Sequence, residues 1–203
     1  MADDAKERKS DEDIETLKRY NQLYLEIIMR YKEYIEENEN LYVAELPKLI
    51  TPDNESVVSV ANKIKSQFPV YSYNDNFPDA VRLAYSYVKD DILLVNLPIQ
   101  FWLKPEEVIR CGAGDIFDKA ALLCSIIIAL GNVSTKLIIK VEDSEREFVV
   151  YSEFNNNIIA VDLESGVKEY KNREELLKAM GVYEENEEMN VYEFNDKIYN
   201  SII

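Results

Sequence analysis

The sequence contains no histidine in 203 residues, and this absence excludes more chemistry than any other feature of the composition. Histidine is the usual general base near neutral pH and the commonest metal ligand in proteins. Without it, the chain cannot form the Cys-His or Ser-His pairs on which many hydrolases and acyl transferases depend. The composition therefore excludes such nucleophilic sites, and we expect no metal and no cofactor.

Cysteine and positive charge are also scarce. Cys111 and Cys124 form no CxxC pair, and two cysteines are too few for a disulfide framework. The net charge of −16 argues against binding to nucleic acid or to an anionic membrane, because both need a basic surface. No apolar run has membrane-spanning length, and residues 1–13 lack the apolar core of a secretion signal. We therefore expect a cytoplasmic protein.

The length suits one domain with an extension, or two small domains. We predict that residues 1–45 form the extension, with a disordered start over 1–12 and a long helix over 13–39. Apolar positions in this helix are three and four residues apart, a heptad pattern with one polar member. The pattern fits either packing on the protein's own core or pairing with a partner or a second copy. Its members are Ile14, Leu17, Asn21, Tyr24, Ile28, Tyr31 and Ile35.

The main domain, residues 46–203, is organised around the stretch Arg110–Gly131. A loop containing Gly112 and Gly114 precedes an almost wholly apolar segment, which predicts a helix buried on every side. Asp115 fits the N-cap of this helix, and Asp118 lies where a capping box places its acid. Both aspartates are therefore predicted to be structural.

The flanking elements predict an α+β fold in which an antiparallel sheet packs on the central helix. We predict a helix capped by Thr51 with Pro52 at its first position, and a second helix from Pro78 to Asp90. Three β-branched runs, an edge strand, a short helix and an acidic loop follow. Their ranges are 136–141, 147–151 and 158–163 for the runs, 191–194 for the edge strand, 173–180 for the helix and 184–188 for the loop.

This order of elements resembles a transglutaminase-like domain, a superfamily of papain-like folds. The family pattern W-x-x-P-x-E matches Trp102–Glu107, and G-x-G-D-C-x-D-x-A-x-L-L matches Gly112–Leu123 except at its cysteine. The family's two later strands, one opening with histidine and one ending in aspartate, match Glu147–Val150 and Ile159–Asp162. The resemblance implies a transglutaminase-like core whose motif region spans residues 98–166, with the N-terminal helix as an extension.

The family's catalytic positions are degenerate in this chain. The resemblance places Ile116 at the nucleophilic cysteine and Glu147 or a close neighbour at the histidine, so that only the aspartate survives, as Asp162. It therefore implies a non-catalytic protein that binds a protein or peptide in the old cleft. We expect Asp162 to be exposed, capped by backbone N–H groups or paired with a cation. The cleft residues implied by the resemblance are Trp102, Cys111, Gly114, Asp115, Ile116, Glu147 and Asp162.

Two alternatives remain open from the sequence. An enzyme with altered chemistry, a hydrolase or acyl transferase, could use Cys111 as nucleophile or Glu147 and Asp162 as a carboxylate pair. An assembly protein could instead form homo-oligomers through residues 13–39. Trp102 is expected to be a packing anchor rather than a ligand platform, and Cys124 is expected to be a core residue.

Overall fold

A computed structural model of the chain describes residues 2–38, 43–96, 99, 101–143, 145–182 and 189–203. The chain folds as two compact units. One unit contains Met1–Asn40 and Leu97–Phe101, and the other contains Leu41–Asn96 and Trp102–Ile203. Among the described residues, no helix is long and apolar enough to cross a membrane.

The helix of the first unit is longer than predicted at its start, and it is interrupted once. Helix α1 spans Ala2–Arg30 and helix α2 spans Lys32–Asn38. Residues 1–12 were predicted to be disordered because they are highly charged, but Ala, Lys, Glu and Arg are also strong helix formers. The interruption falls at Tyr31, whose backbone N–H is shared between the carbonyls of Ile27 (3.2 Å) and Ile28 (3.1 Å). Residue 39, the predicted end, lies outside the described residues.

The second unit combines five α-helices with a large antiparallel sheet in its described residues, which confirms the predicted α+β class. A 3₁₀ segment, Val43–Leu49, comes first, and a π-helical turn, Tyr87–Asp91, continues the second of the five helices. The helices are α3 (Glu55–Lys65), α4 (Tyr73–Ser86), α5 (Pro105–Cys111), α6 (Ile116–Ala129) and α7 (Arg173–Ala179).

Two helix starts differ from the predictions. Asn54, not Thr51, caps α3, and its side-chain oxygen accepts a hydrogen bond from the backbone N–H of Ser56 at 2.9 Å. Asparagine is the better N-cap, so the helix begins there and Pro52 lies in the preceding turn. Helix α4 begins more than a turn before Pro78, which is accommodated inside the helix. Helix α5 was not predicted.

The main sheet has six strands in the order β6-β5-β4-β3-β7-β8, and every neighbouring pair is antiparallel. Strand β7 was predicted to lie at an edge, but it is internal, because the unpredicted strand β8 pairs with it. The acidic loop 184–188 lies outside the described residues. The strands are β3 (Lys136–Glu142), β4 (Glu145–Phe154), β5 (Asn157–Asp162), β6 (Gly166–Tyr170), β7 (Met189–Phe194) and β8 (Tyr199–Ser201).

Both faces of the sheet are covered. On one face, Ile139, Phe148 and Val150 pack into the larger core with α3, α4, α5 and α6. On the other face, Val149 and Tyr151 pack into a smaller core with α7. Because successive residues of a strand point to opposite faces, the two cores divide each strand between them. The side of the sheet on which a residue lies therefore decides which helix it can reach.

A buried lysine joins α6 to the end of α4. Lys119 is 5% exposed, and its ammonium donates hydrogen bonds to the carbonyls of Ile92 (2.6 Å) and Lys89 (3.5 Å). Burial lowers the pKa of Lys119. The last carbonyls of a helix have no hydrogen-bond partner within the helix. A lysine near the C-terminus of a helix can donate to them, and the Lys119 amine does so at the end of the π-helical turn.

Replacing Lys119 with methionine should destabilise the fold by about 1–3 kcal/mol, because the carbonyl of Ile92 would stay buried without a donor. The measurement is the free energy of unfolding in urea. The exposed Lys63 of α3 provides the control, since Lys63→Met should change that free energy by less than about 0.5 kcal/mol. Equal effects of the two substitutions would show that the bond to Ile92 contributes nothing.

Candidate functional site

The glycine loop leads directly into α6, as the sequence indicates. Gly112 ends α5 in the left-handed conformation, with φ of 63°. Strand β2 (Ala113–Gly114) then pairs in parallel with β1 (Leu93–Leu94). A Cβ on Gly114 would lie 2.9 Å from the Cβ of Asp118, so the loop can approach the helix this closely only with glycine. The loop is thereby fixed against the first turn of α6.

Two aspartates cap α6 and confirm the predicted capping box. Asp115 Oδ1 accepts from the backbone N–H of Asp118 at 2.8 Å, and Asp118 Oδ2 accepts from the N–H of Asp115 at 3.0 Å. The second oxygen of Asp118 accepts from the N–H of Leu103 at 2.9 Å. The Asp118 carboxylate therefore holds the segment before α5 against the start of α6.

The two carboxylates perturb each other. Burial raises the pKa of Asp115, against the lowering effect of N–H donors and of the nearby Arg146. Burial, together with the charge of Asp115, raises the pKa of Asp118 to about 6. The cause is that Asp118 is fully buried next to a second acid, and these effects outweigh its backbone donors.

An aromatic cluster fills the space beside the start of α6. The ring of Phe117 lies 5.5 Å from that of Trp102 and 5.8 Å from that of Phe148, measured between centroids. Phe117 and Phe148 are buried, whereas Ile116 and Trp102 are partly exposed. The position that the resemblance gives to a nucleophilic cysteine is thus an aliphatic side chain beside packed aromatic rings.

The structure does not bring Glu147 and Asp162 to this place. In β4, Phe148 packs on the α6 side, so its neighbour Glu147 projects to the other side. Glu147 and Asp162 both line a small cavity with Leu176 and Met180 of the α7 side. The structure therefore does not bring these two acids together with Ile116, because the sheet lies between them.

Each of the two acids has local partners on the α7 side. Burial raises the pKa of Glu147, and the charge of Asp162 adds to this, whereas Lys140, 3.7 Å away, lowers it. Asp162 Oδ1 accepts from the backbone N–H groups of Glu164 (2.7 Å) and Ser165 (3.1 Å), which confirms one of its expected arrangements. Their shared cavity measures about 50 Å³, far below the several hundred Å³ of a small-molecule site.

The two cysteines lie in different helices. Cys111 is exposed at the end of α5, whereas Cys124 is buried in α6, where burial raises the pKa of its thiol. No cluster of three or more cysteine, aspartate or glutamate side chains that could hold a metal occurs in the part of the chain that the structure describes.

Sequence reasoning missed two features of the site. Arg146, on the α6 side of β4, lies near enough to Asp115 to lower the pKa of that carboxyl. Leu93 and Leu94 of β1 are 67% and 49% exposed, directly beside the glycine loop. In the sequence, the two leucines belong to a short apolar run, and such a run predicts a buried strand equally well. Their exposure therefore could not be predicted.

Sequence comparison identifies no relative for this chain. No known protein family matches it, and no curated protein matches it either. The geometry of the described residues is therefore the basis for a proposal about function.

The raised pKa of Asp118 predicts that its contribution to stability is largest in acid. The pKa of Asp118 is about 6 in the folded protein, compared with 3.8 for an unperturbed aspartate. Its contribution to the free energy of unfolding is therefore fully present below pH 3.8 and is lost as the pH rises through about 6. Its size is at most about 3 kcal/mol. Carboxyl NMR should show Asp118 titrating near pH 6, and Asp118→Asn should remove this part of the pH dependence of unfolding. Titration near pH 4 would contradict the prediction.

The alkylation rate of a thiol introduced as Ile116→Cys should change only when a histidine is introduced on the α6 side of the sheet. Added Phe148→His should lower the pKa of that thiol and accelerate its alkylation near neutral pH. Position 148 lies on the α6 side, against Phe117, the residue next to the thiol, and an imidazolium on that side favours the thiolate. Added Glu147→His should leave the pH profile unchanged, since that side chain faces α7. The rate of alkylation against pH, in a Cys111→Ser background, provides the measurement. A response to Glu147→His would show that β4 has the opposite orientation.

Proposed function

We propose that this protein is a non-catalytic transglutaminase-like module that binds a protein or peptide partner. The observation that carries the proposal is the surface at the start of α6, where a catalytic cleft would hold a thiol and its base. There the chain presents the partly exposed Ile116 and Trp102, and the buried rings of Phe117 and Phe148 continue the cluster inward. Apolar side chains bind a partner because their surface is removed from water in the complex. They supply neither a nucleophile nor a proton acceptor.

The order of elements supports the transglutaminase-like assignment. A glycine loop, a capped buried helix and the antiparallel strands β3, β4 and β5 follow one another as the resemblance implies. The residues that match the family are those with a structural role in this fold. Gly114 allows the close approach to α6, and Asp115 and Asp118 cap it.

The binding surface that we propose is the loop patch, defined as the apolar residues Leu93, Leu94, Trp102 and Ile116 around the glycine loop. Leu93 and Leu94 lie on opposite faces of β1. The two leucines are exposed on a two-residue strand, and the other two side chains are partly exposed around the helix start. Exposed apolar residues grouped around one loop are typical of interaction sites, whereas single ones are not. The patch carries no charge, so we propose an apolar peptide segment as its ligand.

The test is selection of peptides on the full chain from a random display library, followed by titration of one selected peptide. Trp102 is the only tryptophan, so its fluorescence should change on binding. Leu93→Asp should weaken binding about tenfold or more, because a leucine buried by the ligand is lost. Val133→Asp is the matched control, since Val133 is also 67% exposed but follows α6 at its other end.

Two results would contradict the proposal. Selected peptides that bind Leu93→Asp as tightly as the unchanged protein would exclude the loop patch. Amine incorporation into a glutamine substrate, or peptide hydrolysis, abolished by a thiol-alkylating reagent would identify Cys111 as a nucleophile and the protein as an enzyme.

A further inference from the structure

The seam of the N-terminal helices, the seven heptad positions from Ile14 to Ile35, is solvent-accessible along its whole length. Leu17, Tyr24 and Tyr31 are 61%, 57% and 55% exposed. Ile14 is 47% exposed, Asn21 is exposed, and the other two isoleucines are partly exposed. In proteins, most of the stability of a helix comes from packing of its apolar face, and the seam is such a face.

The a positions of the seam, together with Leu17 at d, have the residue types of a parallel two-stranded coiled coil, and tyrosine occupies the other two d positions. With Ile14 at position a of the heptad, the a positions hold three isoleucines and Asn21, and the d positions hold Leu17, Tyr24 and Tyr31. β-Branched residues at a favour two strands, and a single asparagine at a fixes register, because it pairs with its own copy across the interface.

The flanking positions favour the parallel orientation. The e positions hold Lys18, Leu25 and Lys32, and the g positions hold Tyr20, Ile27 and Tyr34. In a parallel pair, g meets e of the other helix, so Ile27 would pack on the aliphatic stem of Lys32. An antiparallel pair would bring e to e and place lysine near lysine.

We propose that residues 14–35 pair with the same residues of a second copy of this chain, as a parallel, in-register coiled coil. This inference is independent of the loop patch. The segment spans little more than three heptads, about 33 Å at 1.5 Å per residue. The dimer should therefore be weak and dependent on protein concentration.

Sedimentation equilibrium of the full chain should show a monomer–dimer equilibrium. Leu17→Glu, at a seam position, should weaken dimerisation at least tenfold. Leu23→Glu is the control, because Leu23 is similarly exposed (54%) but lies about 120° around the helix from the seam. A chain that stays monomeric at every accessible concentration, or equal effects of the two substitutions, would overturn the proposal.

Cross-linking tests the orientation. In a Cys111→Ser background, Asn21→Cys should form a covalent dimer on mild oxidation, because position 21 meets its own copy in the parallel arrangement. Leu23→Cys should stay monomeric under the same conditions. A dimer in which only the Leu23→Cys variant cross-links, or neither does, would overturn the parallel, in-register arrangement. Leu93→Asp should change neither result, which separates dimerisation from peptide binding.

Discussion

The buried carboxylate of Asp118 holds together the part of the fold on which everything else depends. It accepts hydrogen bonds from the backbone of Asp115 and of Leu103, so one side chain fixes both the start of α6 and the segment before α5. Its position next to a second acid in a dry environment is unfavourable for the charged form, which is why its pKa rises to about 6. Without the Asp118 carboxylate, the N–H donors of Asp115 and Leu103 would lose the acceptor that they have here, which is unfavourable.

From that fixed point, the orientation of the sheet decides what chemistry is available. Helix α6 packs on the face that carries Phe148, and its first turn meets aromatic rings. The acids Glu147 and Asp162 lie on the other face, with Lys140 and backbone N–H groups as partners. The sheet separates position 116 from both carboxylates, so a single substrate could not contact all of them at once. We therefore propose binding by apolar contact rather than a reaction that needs both groups.

Much of the fold could be predicted, because α6 and strands β3 to β5 are strong apolar runs with clear turns between them. The orientation of β4 could not, because both of its faces are buried and Phe148-Val149-Val150 shows no alternation of apolar and polar residues to fix its phase. Helix α5 has only seven residues, too few to show a helical period of apolar positions. The N-cap of α3 is Asn54 rather than Thr51, because the Asn54 side chain accepts a hydrogen bond from the backbone N–H of Ser56. The exposure of Leu93 depends on tertiary structure, which composition does not report.

The orientation of β4 relative to α6 is the central claim, because a one-residue shift in its register would exchange Phe148 with Glu147. The most direct measurement is a set of nuclear Overhauser effects in the full chain with selectively labelled aromatic rings. Contacts between the ring protons of Phe117 and Phe148, and between the side chains of Glu147 and Lys140, are the result expected. Contacts from Glu147 to Phe117 would contradict the claim and place a carboxylate at the start of α6.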